Sequence, residues 1–388
     1  MYKLVSIGSV KPAKRLSLWD VLDLMEEILR SWRVPSCVRV RDSEVVEGVE
    51  VYWALRNLGA SLLPVGSETN CSVSLEKLGF FDDVSPRRDT RVYHDIRDLL
   101  RASWPTPLLQ LKSYSNDTIR VWAKLEWYNP ISLSIKDRTA WWILESLNEY
   151  TRIKGKVVAD ATSSNFGIAL AALARKYGGR ARIYLPKSAG QLGRKVARLM
   201  GGEVFEEGGD MTVDLIPRVV EDSKRHGYVH ANQFMNDENF IAHLRFTAKE
   251  IHFQARESRL KLAGIAGSVG TSGHMAAIEF YFRSVAGGEF RVIAAQPARG
   301  DTIPGIRRTE TGMVWLNLIS KNIEVIDVTL EESLEAIKKV AREDGILIGP
   351  SGGAALAALE KFVGEGADTM EDYVAIIPDT GYKYLDML

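Results

Sequence analysis

Residues 157–185 read Val157-Val158-Ala159-Asp160-Ala161-Thr162-Ser163-Ser164-Asn165-Phe166-Gly167-Ile168-Ala169-Leu170-Ala171-Ala172-Leu173-Ala174-Arg175-Lys176-Tyr177-Gly178-Gly179-Arg180-Ala181-Arg182-Ile183-Tyr184-Leu185. A β-type run over 157–160 enters a turn of four hydrogen-bonding side chains, a helical run follows over 166–177, and a second β-type run spans 182–185. Strand, crossover helix and strand in this order make a parallel βαβ unit. The helical run is apolar nearly all round from Phe166 to Ala174, which places it inside an α/β layer with cover on every side.

The same texture continues outward. A helix is expected over 191–200 and a strand over 203–205. Further strand-to-helix units run 262–266 with a helix after Thr271, 292–296, 323–328 with a helix through Arg342, and 373–377. Before about residue 103 the pattern is different. Leu18, Leu22, Met25, Ile28 and Leu29 form one face of an amphipathic helix. Short mixed segments follow over 38–51 and 61–65, then a charged loop through Pro86-Arg87-Arg88-Asp89. No acid, base and nucleophile come together there, so the segment is read as packing or as a subunit contact.

The 388 residues allow two to three domains or one large two-lobed unit, at about 150 residues per domain. Hydrophobic residues are 46% and charged residues 26%, an ordinary globular balance. Fifty basic residues meet fifty acidic ones, so no overall field gathers nucleic acid or an anionic membrane, and any anion must be held by a local cation. The start of the chain lacks an apolar stretch of signal-peptide length, and no run approaches the ~20 apolar residues of a membrane span; a cytoplasmic protein is expected. Cys37 and Cys71 lack metal-site spacing and are too few for a disulfide framework, so they are read as unpaired thiols of a reducing compartment.

Three small-residue loops sit where a strand feeds a helix, the edge at which open parallel sheets bind ligands. Gly267-Ser268-Val269-Gly270-Thr271-Ser272-Gly273-His274 offers backbone N–H groups, hydroxyls and a helix start, which are the needs of a phosphate site; turns of this kind also serve packing alone. Thr162-Ser163-Ser164-Asn165 has more hydrogen-bonding side chains than an N-cap requires, and the surplus suits a carboxylate. Gly349-Pro350-Ser351-Gly352-Gly353 is the third loop, with an ordinary turn as the alternative. Lys136 lies among apolar residues just before the helical run 139–147; burial and a helix N-terminus both disfavour its ammonium, which makes it a candidate amine nucleophile. In Pro304-Gly305-Ile306-Arg307-Arg308 adjacent side chains diverge, so one arginine can face a ligand while the other pairs at the surface.

Together these pieces resemble the cysteine synthase and cystathionine β-synthase branch of the fold-type II pyridoxal-phosphate enzymes. The resemblance runs from about residue 105 to the end through Thr106-Pro107-Leu108, Lys124-Leu125-Glu126, Asn129-Pro130, Lys136-Asp137-Arg138, Gly270-Thr271 and Pro378-Asp379-Thr380-Gly381. It implies an α/β fold of two lobes with parallel sheets, a catalytic body over 103–388 with its small lobe near 140–245, and an N-terminal extension over 1–102. It further implies pyridoxal 5'-phosphate as cofactor, with Lys136 as the Schiff-base lysine and Asn165 at the cofactor's 3-hydroxyl. Gly270, Thr271, Ser272, Gly273 and His274 become the phosphate cup, and Ser351 the partner of the pyridine nitrogen. Thr162, Ser163, Gln233 and Phe234 match the substrate contacts. No metal is implied, and a homodimer is expected.

Ser164 departs from the usual glycine of the Thr-Ser-Gly-Asn loop, and Ser272 with His274 replaces glycine and threonine in the cup. With the extension and the arginine-bearing stretch 303–308, these departures look like the archaeal-type O-phosphoserine sulfhydrylases, where an arginine binds the substrate phosphate. By that resemblance Arg307 is the phosphate reader, with Arg308 as the alternative. The activity implied is β-replacement of O-phospho-L-serine by sulfide to give L-cysteine, through an α-aminoacrylate. O-acetylserine sulfhydrylase and cystathionine β-synthase activities are the alternatives, with a serine or threonine dehydratase and a non-catalytic regulatory homologue further off.

Overall fold

The computed structural model describes residues 2–66, 71–86, 91–208, 211–286, 290–364 and 370–388; Arg87, Arg88 and Asp89 of the charged loop lie outside the described residues. Two α/β sheets carry the body. The smaller has four parallel strands in the order Glu203–Glu207, Arg180–Pro186, Val157–Ala161 and Val229–His230. The larger has six, in the order Glu324–Val328, Arg291–Pro297, Leu262–Ser268, Glu371–Ile377, Ile119–Leu125 and Leu108–Leu111. Five of the six run parallel; the edge strand Leu108–Leu111 pairs antiparallel with Ile119–Leu125. The helix Asn165–Lys176, apolar nearly all round, is buried from Phe166 to Ala174 except at Ala172.

The extension is built on other lines. Its helix Leu18–Ser31 starts on a capping box, in which Ser17 and Asp20 satisfy each other's backbone N–H groups. It buries Leu18, Val21, Met25, Ile28 and Leu29, while Leu22 is only partly covered. This face packs on the helix Gly273–Ala286, and Glu26 accepts from Arg283 at 2.6 Å beside the contact. A second helix, Val49–Leu58, ends against the body. The carbonyls at its C-terminal end accept from cations of the body: Arg56 O from Arg245 at 3.1 Å, Leu58 O from Lys249 at 3.2 Å and that of the cap residue Gly59 from Lys249 at 3.0 Å. One continuous core therefore joins Met25 and Leu55 of the extension to Phe246 and Met275 of the body.

The expectation of two unpaired cysteines is corrected here: Cys37 and Cys71 form a disulfide, with Cα atoms 5.2 Å apart. Thirty-four residues separate them in sequence, but the short strands of the extension fold back on themselves and bring both Cα atoms into bonding range. The cysteines therefore give no argument for a reducing compartment.

Met25 has no exposed surface and sits where extension and body share a core. Met25→Ala is expected to lower the unfolding free energy in urea by about 2–5 kcal/mol. A loss below about 1 kcal/mol, the range of ordinary surface substitutions, would contradict a shared core.

Candidate active site

The functional side chains lie where strands of both sheets end. The strand Ile119–Leu125 runs into a loop that returns at Lys136, the first residue of the helix Lys136–Thr151, three residues earlier than the sequence pattern places its start. Asp137 shapes that loop: its carboxylate accepts from the backbone N–H of Ile131 at 2.7 Å and of Ser132 at 2.9 Å, and from the Ser132 hydroxyl. Ile135 N–H donates to Pro378 O at 2.9 Å, which ties the loop to the end of the central strand Glu371–Ile377. Arg138 then fixes the helix. Its guanidinium donates to both oxygens of Glu126 and both of Glu250, Lys124 pairs with Glu250 at 2.9 Å, and none of the four side chains is exposed. Lys136 is left with an ammonium that makes no hydrogen bond among the described residues. Burial pushes it down to about 8, against the opposing pull of the Asp379 carboxylate, so an appreciable share is neutral amine near neutral pH.

The loop after strand Leu262–Ser268 opens the helix Gly273–Ala286. Ser272 holds φ at +73°, a left-handed conformation that suits glycine. Its hydroxyl and both ring nitrogens of His274 are buried with no hydrogen-bond partner among the described residues. Burial, helped by the positive Lys136, pushes His274 down to about 3, so the ring is neutral and keeps one N–H to give. Thr271 Oγ1 accepts from Asn239 Nδ2 at 2.9 Å, and the same amide donates to Gln233 O at 2.7 Å, joining the loop before helix Gly273–Ala286 to the Gln233 loop.

On the opposite wall, Thr162 is buried and Ser163 exposed. Ser164 occupies the N-cap of helix Asn165–Lys176 without a side-chain capping bond, and its backbone N–H donates to Thr162 Oγ1 at 3.3 Å. Asn165 Nδ2 donates to Asp379 Oδ2 at 2.7 Å, and its Oδ1 accepts from Lys383 at 2.8 Å. Ser351 is the second residue of helix Pro350–Val363, buried, its hydroxyl free of hydrogen bonds among the described residues. Gln233 is pinned to the strand Val157–Ala161 through Asp160 at 2.9 Å and Ala161 O at 2.8 Å.

The two arginines diverge. Arg308 pairs at the surface with Glu310 at 2.7 Å and Asp327 at 3.0 Å. Arg307 turns inward: Nε donates to Gly270 O at 2.8 Å, Nη1 to Thr311 Oγ1 at 3.0 Å and Nη2 to Gly312 O at 2.9 Å, and the guanidinium lies 5.2 Å from the Phe234 ring centroid. Every one of these acceptors is neutral. Burial alone pushes Arg307 down to about 10, and it stays charged at neutral pH with no carboxylate beside it among the described residues.

A profile of the family described as pyridoxal-phosphate dependent enzymes matches residues 99–379. The chain belongs to this family. Cysteine synthase B of Escherichia coli (strain K12) is 32% identical over 290 residues, 72% of this chain and 91% of that protein. The solved O-ureido-L-serine synthase matches with a TM-score of 0.67 at 27% identity, over 76% of this chain and 95% of that one. O-acetyl serine sulfhydrylase isoform 3 from Entamoeba histolytica matches with a TM-score of 0.66 at 26% identity, over 78% of this chain and 93% of that one.

Pyridoxal phosphate is the cofactor of this family, and the residues present suit it. Unpartnered buried donors at Ser272 and His274 beside a helix N-terminus are what a phosphate dianion needs, and an unbonded amine at Lys136, held below the usual lysine range by burial, is what an aldehyde needs. Sequence reasoning missed Asn239, Lys383 and Tyr384. Nothing in Gly381-Tyr382-Lys383-Tyr384 marks it off from a polar C-terminal tail, and Asn239 lies in an ordinary helical stretch.

Ser272 combines a left-handed backbone with a buried, unbonded hydroxyl, two features that cost stability unless a ligand uses the hydroxyl. Ser272→Gly is expected to stabilise the cofactor-free protein by about 1 kcal/mol and to weaken cofactor binding measured by titration. A variant that binds the cofactor as tightly as the parent would remove Ser272 from the cup.

Proposed function

We propose that this enzyme makes L-cysteine by replacing the phosphate of O-phospho-L-serine with sulfide. The observation that carries the reading is Arg307, a buried guanidinium hydrogen-bonded to the cup residue Gly270, stacked on Phe234 and facing only neutral acceptors. A buried cation without a counter-ion is costly, and a dianionic substrate group offsets that cost. O-acetylserine, the donor suggested by the name of the Entamoeba sulfhydrylase, is the second reading; its uncharged ester would leave Arg307 without an anion.

In this reading, the Thr162 and Ser163 hydroxyls and the Gln233 amide receive the substrate carboxylate. When bound, pyridoxal phosphate supplies an electron sink conjugated to the substrate's Cα. Lys136 would hold the cofactor, and its neutral amine takes the Cα proton. Phosphate departs with the C–O bonding pair, its charge met by the Arg307 cation. Hydrosulfide forms the new bond at Cβ, and Lys136 returns the proton to Cα. Ser351, a neutral hydroxyl at a helix N-terminus, would face the pyridine nitrogen and leave it unprotonated, which favours loss of a β-substituent over a long-lived carbanion.

Arg307→Ala is expected to lower kcat/KM for O-phosphoserine by roughly ten- to hundredfold, about 1.5–3 kcal/mol, and to change O-acetylserine turnover little. Arg308→Ala, which removes the pairs with Glu310 and Asp327 and a bond to Pro297 O but no contact of the site, is expected to spare both donors. Equal losses for both donors in Arg307→Ala would return the reading to a generic cysteine synthase.

A further inference from the structure

The Lys383 ammonium has three N–H groups and uses all three. It donates to Ser132 O, to Leu133 O at 3.1 Å and to Asn165 Oδ1 at 2.8 Å, with Asp379 Oδ2 at 3.8 Å. Its partners come from three separate places: the loop leading to Lys136, the first residue of the helix Asn165–Lys176 and the end of the strand Glu371–Ile377. Tyr384 donates its hydroxyl to the same Asp379 oxygen at 2.7 Å.

The chemistry of these neighbours removes the usual ambiguity of an asparagine amide. An ammonium can only donate, so the amide atom facing Lys383 must be oxygen; a carboxylate can only accept, so the atom facing Asp379 must be nitrogen. Flipping Asn165 would set donors against donors and oxygen against oxygen. In the held orientation one N–H of Asn165 goes to Asp379 and one is left over. The residue therefore has an N–H donor to offer its ligand, while its oxygen is turned to Lys383.

The geometry points to Lys383 as a positioning residue that locks the Asn165 amide so that its free N–H faces the cofactor's 3-oxygen. This rests on the reading of Asn165 as the 3-oxygen partner. A donor at that oxygen favours its deprotonated form. Without the ammonium, the amide can turn its oxygen toward the cofactor, which favours the protonated form.

The test is the absorbance of the reconstituted holoenzyme, in the ratio of bands for the cofactor with its 3-oxygen protonated or not, together with cofactor affinity by titration. Lys383→Met is expected to shift the ratio toward the protonated form, in the same direction as Asn165→Ala, and to raise the cofactor dissociation constant about tenfold. Lys383→Arg, which keeps a donor-only cation, should restore the parent spectrum. The double variant should shift no further than Asn165→Ala alone. If circular dichroism shows that Lys383→Met does not fold, Lys383→Gln takes its place with the same expected direction, because an amide can accept as well as donate. The proposal is overturned if Asn165→Ala moves the spectrum and the Lys383 variant does not, or if the two shifts add. An unmoved spectrum in Asn165→Ala would sink the assignment of Asn165 itself, and the proposal with it.

Discussion

Two positive and two negative side chains, none with exposed surface, stand at the centre of the body: Arg138 and Lys124 against Glu126 and Glu250. They belong to the strand Ile119–Leu125 and the turn that follows it, to the helix that begins at Lys136 and to the helix Lys249–Glu257, so one set of bonds fixes all of these elements at once. Thr106 joins them through its backbone N–H to Glu250 and its hydroxyl to Glu126, and the Trp104 ring lies 4.6 Å from the Arg138 guanidinium. The charges cancel within the set. Removing one partner would strand a buried charge at about 3–5 kcal/mol. The next residue along, Lys249, caps the extension helix Val49–Leu58, so the same helix that holds Arg138 also carries the extension. Lys136 lies two residues before Arg138, and its position follows from this closed network.

The site itself is arranged by the opposite rule. Among the described residues the Lys136 ammonium makes no hydrogen bond, Ser272 and His274 keep unused buried polar atoms, and Arg307 has only neutral acceptors. In a chain whose total charge is zero, the buried guanidinium of Arg307 and the unsatisfied donors lie on loops joined by hydrogen bonds, Arg307 to Gly270 and Thr271 through Asn239 to Gln233. The contrast with Arg308 is instructive, because the neighbouring residue is matched by Glu310 and Asp327 and leaves nothing over. Stability is built from closed polar sets, and ligand recognition from open ones.

Much of the body was legible because hydrophobic period is a local signal. The strands and helices between 157 and 205 lie within a few residues of the pattern that announced them, and two of the three small-residue loops fall at strand-to-helix junctions; the third, at Gly349–Gly353, departs from that expectation, because the helix Leu330–Glu343 precedes it and the apolar run before it makes only an isolated bridge from Ile348 to Thr380. Other features had no local signal. Val49-Glu50-Val51-Tyr52-Trp53 is rich in β-branched and aromatic residues, yet tertiary packing makes it a helix. The Cys37–Cys71 bond and the antiparallel edge strand are products of chain reversal, and Glu250 finds Arg138 across 112 residues. Lys383 reads as a surface lysine until the fold brings Ser132, Asn165 and Asp379 around it. The divergence of Arg307 and Arg308 was foreseeable from their adjacency alone; which of the two turns inward was set by the packing of Gly270 against the loop that bears them.

The proposed activity requires that the positive charge of Arg307 select a phosphorylated substrate. Competition between equimolar O-phosphoserine and O-acetylserine for a limiting amount of the holoenzyme, with sulfide in excess and the released phosphate and acetate both quantified, tests it directly. The account predicts that phosphate release dominates and that the preference shrinks as salt screens the charge, only partly because Arg307 is buried. Dominant acetate release at every salt concentration would contradict it.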